Sequence, residues 1–130
     1  MQLELTDDER QRYHEKLKDL LFEFDDFCEA HGIEYMLSFG TLLGAVRHHG
    51  FIPWDDDVDL MLTRPNFEKL CALQSELPPY LKLDLGRIFK LRDDRYHYVR
   101  GQDMTKWQPI FLDLFVMRET GPESETLLKL

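Results

Sequence analysis

Apolar residues recur every three or four positions between Tyr13 and Cys28, through Leu17, Leu20, Leu21, Phe24 and Phe27. That spacing gathers them on one stripe of a helix. Thr6 followed by Glu9 is a capping-box signature at its start, and Gly32 is the stop. The pattern predicts an amphipathic helix over residues 7–31. Ile33 to Leu37 is short, rich in strand formers and followed by Ser38-Phe39-Gly40, so it reads as a strand entering a tight turn. A short helix from Thr41 to about His48 follows, with Gly50 as its terminator.

The periodicity then changes from helical to alternating. From Asp57 to Leu62 the aspartates fall on one face of a strand while Val58, Leu60 and Leu62 fall on the other. Pro65 in a first helical turn, with Phe67, Leu70, Cys71 and Leu77 behind it, predicts a helix ending before Pro78-Pro79. Tyr80 to Asp84, Arg87 to Leu91 and Arg95 to Val99 read as three short strands separated by Gly86 and Asp93-Asp94. Ile110 to Met117 is the most apolar stretch and predicts a central strand with Asp113 in its middle. The chain from about residue 118 reads as a polar tail. With no internal repeat or dividing linker, the pattern predicts a single α/β (α+β) domain over 1–130, a mixed sheet flanked by helices.

Composition narrows the partners. The chain has 130 residues, 43% hydrophobic and 32% charged, with a formal net charge of −9. Such a balance suits a soluble globule with a real core, and it disfavours DNA, whose binding depends on basic side chains neutralising phosphates. No apolar run approaches the ~20 residues that span a bilayer, and no signal-peptide pattern opens the chain. The expected compartment is the cytoplasm. Cys28 and Cys71 fall on helix stripes, which predicts reduced core thiols.

The candidate chemistry centres on Asp55, Asp56, Asp57 and Asp59, four carboxylates in five positions beside an apolar strand. Their mutual repulsion calls for cations or water. Asp57 and Asp59 would have Cα atoms about 6.5–7 Å apart with carboxylates projecting the same way, which suits a shared divalent cation. Hard oxygen donors favour Mg²⁺ or Mn²⁺, and two such ions ~4 Å apart can steady the attacking and leaving oxygens of a phosphoryl displacement. A solvated acidic turn is the plainer alternative, weakened by the apolar anchors at Val58, Leu60 and Leu62. Asp113, inside an apolar strand, must be paired with a nearby cation, protonated or bound to a metal. Asp57, Asp59 and Asp113 are the candidate catalytic and metal-binding residues.

Gly40 and Thr41, between a strand and a helix, offer backbone amides and a hydroxyl to a phosphate; the alternative is an ordinary helix cap. Arg47 either caps that short helix or reaches a phosphate. His48 and His49 suit a helix C-terminus, and Trp54 either stacks on a base or covers the core edge. Lys90, Arg92, Arg95 and Arg100 form either a solvated strand face or the kind of clamp a diphosphate needs. The acidic run lacks the spacing of a calcium loop, and no serine-hydrolase elbow, zinc-protease helix or P-loop is present.

The block Ser38-Phe39-Gly40-Thr41-Leu42-Leu43-Gly44-Ala45-Val46-Arg47, followed by Phe51-Ile52-Pro53-Trp54-Asp55-Asp56-Asp57-Val58-Asp59, closely resembles the LicD/fukutin family of nucleotidyltransferase-fold enzymes. The preceding helix and Arg64-Pro65-Asn66-Phe67-Glu68 extend the likeness. Members transfer a phosphorylated alcohol, such as phosphocholine or ribitol phosphate, from a CDP-activated donor to a sugar hydroxyl of a surface glycan, releasing CMP. The resemblance implies a transferase with a CDP-alcohol donor, a glycan acceptor and Mg²⁺ (or Mn²⁺). It implies Gly40, Thr41 and Arg47 at the donor phosphates, and Asp57, Asp59 and Asp113 as the acids. Thr41 stands where serine is commoner. Family members generally run well beyond this length, so the expectation is a fragment or a minimal member. The alternative is a non-catalytic module that keeps the metal and nucleotide pocket, or nucleotidyl transfer proper.

Overall fold

A computed structural model describes residues 6–37, 58–99 and 107–117. The first helix, α1 (Asp7–His31), runs over the predicted range. Its capping box is complete: the Glu9 amide donates to Thr6 Oγ1 at 3.2 Å and the Thr6 amide donates to Glu9 Oε1 at 3.3 Å. The N-terminal amides of a helix lack intrahelical acceptors, and this reciprocal pair satisfies two of them. At the other end Gly32 adopts a left-handed φ of 67°, a conformation open to glycine without a Cβ clash. Lys69 Nζ donates to the Gly32 carbonyl at 2.9 Å, tying that end to the second helix.

Two short antiparallel strands follow, β1 (Met36–Leu37) and β2 (Asp59–Thr63), with Leu37 opposite Leu60 and Met36 opposite Met61. Thr63 then caps α2 (Arg64–Ala72), its hydroxyl accepting from the Asn66 side-chain amide at 2.9 Å. Asn66 also accepts from the Glu34 backbone amide at 3.0 Å, fastening α2 to the β1 approach. One 3-10 turn (Gln74–Glu76) leads to β3 (Leu81–Asp84), β4 (Phe89–Val99) and β5 (Trp107–Met117). The strands form one mixed sheet in the order β1-β2-β5-β4-β3, in which only β2 and β5 are parallel.

Alternation along the strands decides what the sheet covers. Leu60, Leu62, Leu91, Leu112 and Leu114 are all buried and point to one face, where they share a core with Tyr13, Leu17, Leu20, Phe24 and Cys28 of α1 and Leu70 of α2. Burying a leucine side chain contributes about 1.5–3 kcal/mol, so this face holds the described helices on the sheet. The opposite face carries Met61, Thr63, Asp59, Asp113, Phe115 and Lys90, none of them fully buried.

The expected α/β class with a mixed sheet and flanking helices is therefore observed. Several boundaries differ from expectation. The predicted strands over 87–91 and 95–99 are one continuous strand, β4, whose register shifts between Asp93 and His97. Between the pairs Asp93–Ile110 and His97–Pro109, β4 carries three extra residues, Asp94, Arg95 and Tyr96, without ending, so the polar Asp93-Asp94 stretch that reads as a turn is instead an irregularity within one strand. The helix predicted to reach Leu77 stops at Ala72, because Leu73 leaves helical geometry and the chain tightens into the 3-10 turn. The strand at 33–37 shrinks to Met36–Leu37, and β5 begins at Trp107 rather than Ile110. The predicted helix over 41–48 and the polar tail lie outside the described residues. Neither described helix is long and apolar enough to cross a membrane.

Candidate functional site

β2 and β5 each set one acid among core leucines. Val58, Leu60 and Leu62 surround Asp59, and Leu112 and Leu114 flank Asp113; all five apolar neighbours are buried. Period-two alternation turns both acids to the other face. The parallel register makes Asp59 and Asp113 direct partners, and the Asp113 amide donates to the Val58 carbonyl at 2.9 Å to lock that register. Adjacent strands lie ~4.8 Å apart, so two half-buried carboxylates leave the sheet side by side. At an effective dielectric of about 20 such a pair repels by on the order of 3 kcal/mol unless cations offset it.

The row continues across the sheet. Lys90 on β4 stands opposite Asp113, and Asp84 on β3 stands opposite Lys90. Acid, acid, base and acid thus line up on one face of four strands. Of the residues singled out in the sequence, Asp59 and Asp113 are brought together; Gly40, Thr41, Arg47 and Asp57 lie outside the described residues. Leu37, at the end of β1, pairs with Leu60, the neighbour of Asp59.

A cavity of about 630 Å³ opens beside β1 and β2, lined by Met61, Thr63, Met117, Tyr35, Asp25 and Asn66 among others but by neither Asp59 nor Asp113. Met61 is two positions from Asp59 on the same face, about 6.6 Å along the strand. Tyr35 donates to Asp25 Oδ1 at 2.7 Å, and burial together with that bond pushes its phenol above the ordinary range. Beneath it the Cys28 thiol is pushed up to about 12, first by burial and then by the Asp25 charge. Both cysteines are free, Cys28 buried and Cys71 half buried.

The carboxylate oxygens of Asp25, Asp26 and Glu29 lie within 4.8 Å of one another and could hold a metal ion, although all three are exposed on α1. The cluster's signal in the sequence is the i, i+1, i+4 spacing of three acids along one helix.

The basic stretch on β4 divides by partner. Arg95 donates to Asp93 through Nε at 3.1 Å and Nη2 at 2.9 Å, reaches Glu23 Oε2 at 3.0 Å, and stacks 3.6 Å from the Tyr80 ring. Tyr80 also donates to Glu23. Arg92 is held by Asp94 at 3.2 Å and Asp84 at 3.7 Å. These arginines fasten β4 to α1 and β3. Lys90 instead rests its Nζ 4.0 Å from the Phe111 ring centroid.

Comparison with known proteins gives consistent matches. Residues 32–127 match the family model described as LicD/FKTN/FKRP, nucleotidyltransferase domain. The lipopolysaccharide cholinephosphotransferase LicD of Haemophilus influenzae is 47% identical over 108 residues, covering 75% of this chain and 40% of that protein. The human ribitol 5-phosphate transferase FKRP is 62% identical over 32 residues, covering 25% of this chain and 6% of that protein. The yeast mannosyltransferase regulator 4 is 37% identical over 54 residues, covering 42% of this chain and 5% of that protein. The chain thus spans two fifths of the length of its Haemophilus relative.

Proposed function

Because the chain belongs to the LicD/FKTN/FKRP nucleotidyltransferase-domain family, we propose that it moves a phosphorylated alcohol from a CDP-activated donor to a glycan hydroxyl. The observation that carries this reading is the register pairing of Asp59 with Asp113 on the face away from the core. The relatives named as cholinephosphotransferase and ribitol 5-phosphate transferase support a transferase of an alcohol phosphate. An acid pair repels a bare diphosphate, which supports a donor that arrives together with a divalent cation.

The residues fit a divalent ion. Carboxylate oxygens are the hard donors that suit Mg²⁺ or Mn²⁺, and here two come from neighbouring strands on an accessible face. Asp59 and Asp113 would hold it, with Asp57 two positions before Asp59 as the third ligand. An ion there would neutralise the donor phosphates and the charge that develops on them.

The chain's own groups then do the rest. Gly40 and Thr41 would seat the phosphates through backbone amides and a hydroxyl, with Arg47 adding a charge-assisted contact. Asp113 would accept the proton of the incoming sugar hydroxyl as its oxygen bonds to the alcohol's phosphorus. The bond from that phosphorus to the bridging oxygen breaks, and CMP departs with the electron pair. The work of the sheet is to hold both carboxylates in fixed register before substrate arrives.

A second reading, a nucleotide- and metal-binding module without turnover, is favoured by one finding, the yeast relative that is named a regulator. Calorimetric titration with CDP-choline in Mg²⁺, followed by a CMP-release assay with a sugar acceptor, separates the two. Binding with release supports the transferase. Binding without release supports the module, and absence of both overturns the pair.

A further inference from the structure

We propose that Lys90 is a phosphate-binding residue of this site, contributing an ammonium that meets the donor's diphosphate beside Asp113. The inference rests on the transfer reading above and adds to it a residue that the sequence motif does not contain. Its first support is position. Lys90 is the register partner of Asp113, which is itself the partner of Asp59, so the three side chains leave one face of consecutive strands β4, β5 and β2. At ~4.8 Å per strand the Lys90 Cα lies about 10 Å from that of Asp59, a span that a four-carbon side chain and a diphosphate readily bridge.

The second support is what holds the ammonium. Lys90 Nζ sits 4.0 Å from the Phe111 ring centroid, and Phe111 is itself buried at 8% exposure. A ring face attracts the cation without taking any of its N–H donors in a directed bond, so the group is positioned with its hydrogen-bonding capacity intact. The other described cations of β4 differ. Arg92 is neutralised by Asp84 and Asp94, and Arg95 by Asp93 and Glu23. Among the described residues Lys90 forms no ion pair, and it is half buried in a chain of net charge −9.

The third support is electrostatic need. A diphosphate approaching Asp59 and Asp113 meets two carboxylates, and a cation fixed on the far side of Asp113 pulls it into register. The basic row neighbour therefore has a function that a merely solvated strand lysine lacks.

The test uses the full chain in Mg²⁺ and two readouts. Acylation of Lys90 by an amine-reactive ester, followed by mass spectrometry, should fall at least fivefold in the presence of CDP-choline or inorganic pyrophosphate, and stay unchanged with choline alone. Lys90→Met should weaken CDP-choline binding at least tenfold and raise KM in proportion with kcat changed less than threefold, whereas Lys90→Arg should recover most of the affinity. Should Lys90→Met fail to fold, the labelling of the wild-type chain decides. Unprotected Lys90 together with wild-type affinity in Lys90→Met overturns the assignment even if CMP is released. Protection without any CMP release leaves the Lys90 assignment standing and sinks the transfer reading instead.

Discussion

Asp59 and Asp113 are direct partners across the one parallel strand pair of the described sheet, projecting away from the leucine core. Two acids held side by side by backbone register on an accessible face are the kind of close titratable pair that clusters at functional sites. Asp59→Asn and Asp113→Asn should each lower CMP release roughly 100-fold or more, the lower end of a general acid-base contribution. Their thermal midpoints should change little, because neither isosteric substitution opens a cavity. A variant with full turnover, or one that unfolds, would give these acids a structural role instead.

The bulge in β4 rests on Asp93, a carboxylate whose side chain is 2% exposed and accepts from Arg95. Arg95→Met should cost about 2–4 kcal/mol in urea unfolding, somewhat below the usual figure for breaking a buried pair because the guanidinium is 38% exposed. Adding Asp93→Leu to that variant should recover part of the loss, since no buried charge is then left alone. A change below about 0.5 kcal/mol in the single variant, the range of an ordinary surface substitution, would mean that water serves Asp93 as well as Arg95 does.

Cys28 links burial to alkaline behaviour. Its thiol rises from 9.0 to about 12 on folding, so the folded state keeps the proton that the unfolded state gives up. The sign follows from linkage: this contribution is whole below pH 9 and is lost as pH climbs toward 12. Cys28→Ala should flatten the fall of stability in that window, measured by denaturant unfolding at several pH values. Iodoacetamide at pH 8 should label the half-buried Cys71 faster than Cys28. Equal labelling rates would contradict the packing of α1 on the sheet.

The capping box gives a prediction at the acid end. The Thr6 hydroxyl and the Thr6 backbone amide hold the Glu9 carboxyl below its ordinary value of 4.5. A depressed carboxyl stabilises the fold above its unfolded pKa, and that help fades as pH falls through the lower folded value. Thr6→Ala should cost about 1 kcal/mol at neutral pH, with a smaller difference from wild type once Glu9 is protonated. A difference that grows on acidification would point away from the capping box.

α1 was legible in the sequence because stripe, cap and stop all agree, and local and global signals then select one answer. β4 was not, since Asp93-Asp94 has the composition of a turn and only the tertiary partners that Arg95 finds in Glu23 and Tyr80 hold it as an irregularity around the buried Asp93. In the site, alternation was enough to place Asp59 and Asp113 opposite the apolar neighbours. Their pairing was not readable, because a strand's register depends on contacts made across dozens of residues. Lys90 was visible as one of several basic residues, and its selection over Arg92 and Arg95 needed the ion pairs that occupy those two. Gly40, Thr41, Arg47 and Asp57 remain proposals grounded in the motif.

Mn²⁺ binding, followed by electron paramagnetic resonance of the free ion, tests the central claim without requiring turnover. The acid pair on β2 and β5 predicts that Asp59→Asn and Asp113→Asn each weaken Mn²⁺ binding at least tenfold, while Asp25→Asn in the exposed α1 cluster leaves the main site unchanged. Wild-type affinity in both sheet variants, with the loss appearing in Asp25→Asn, would place the metal on the helix and contradict the account.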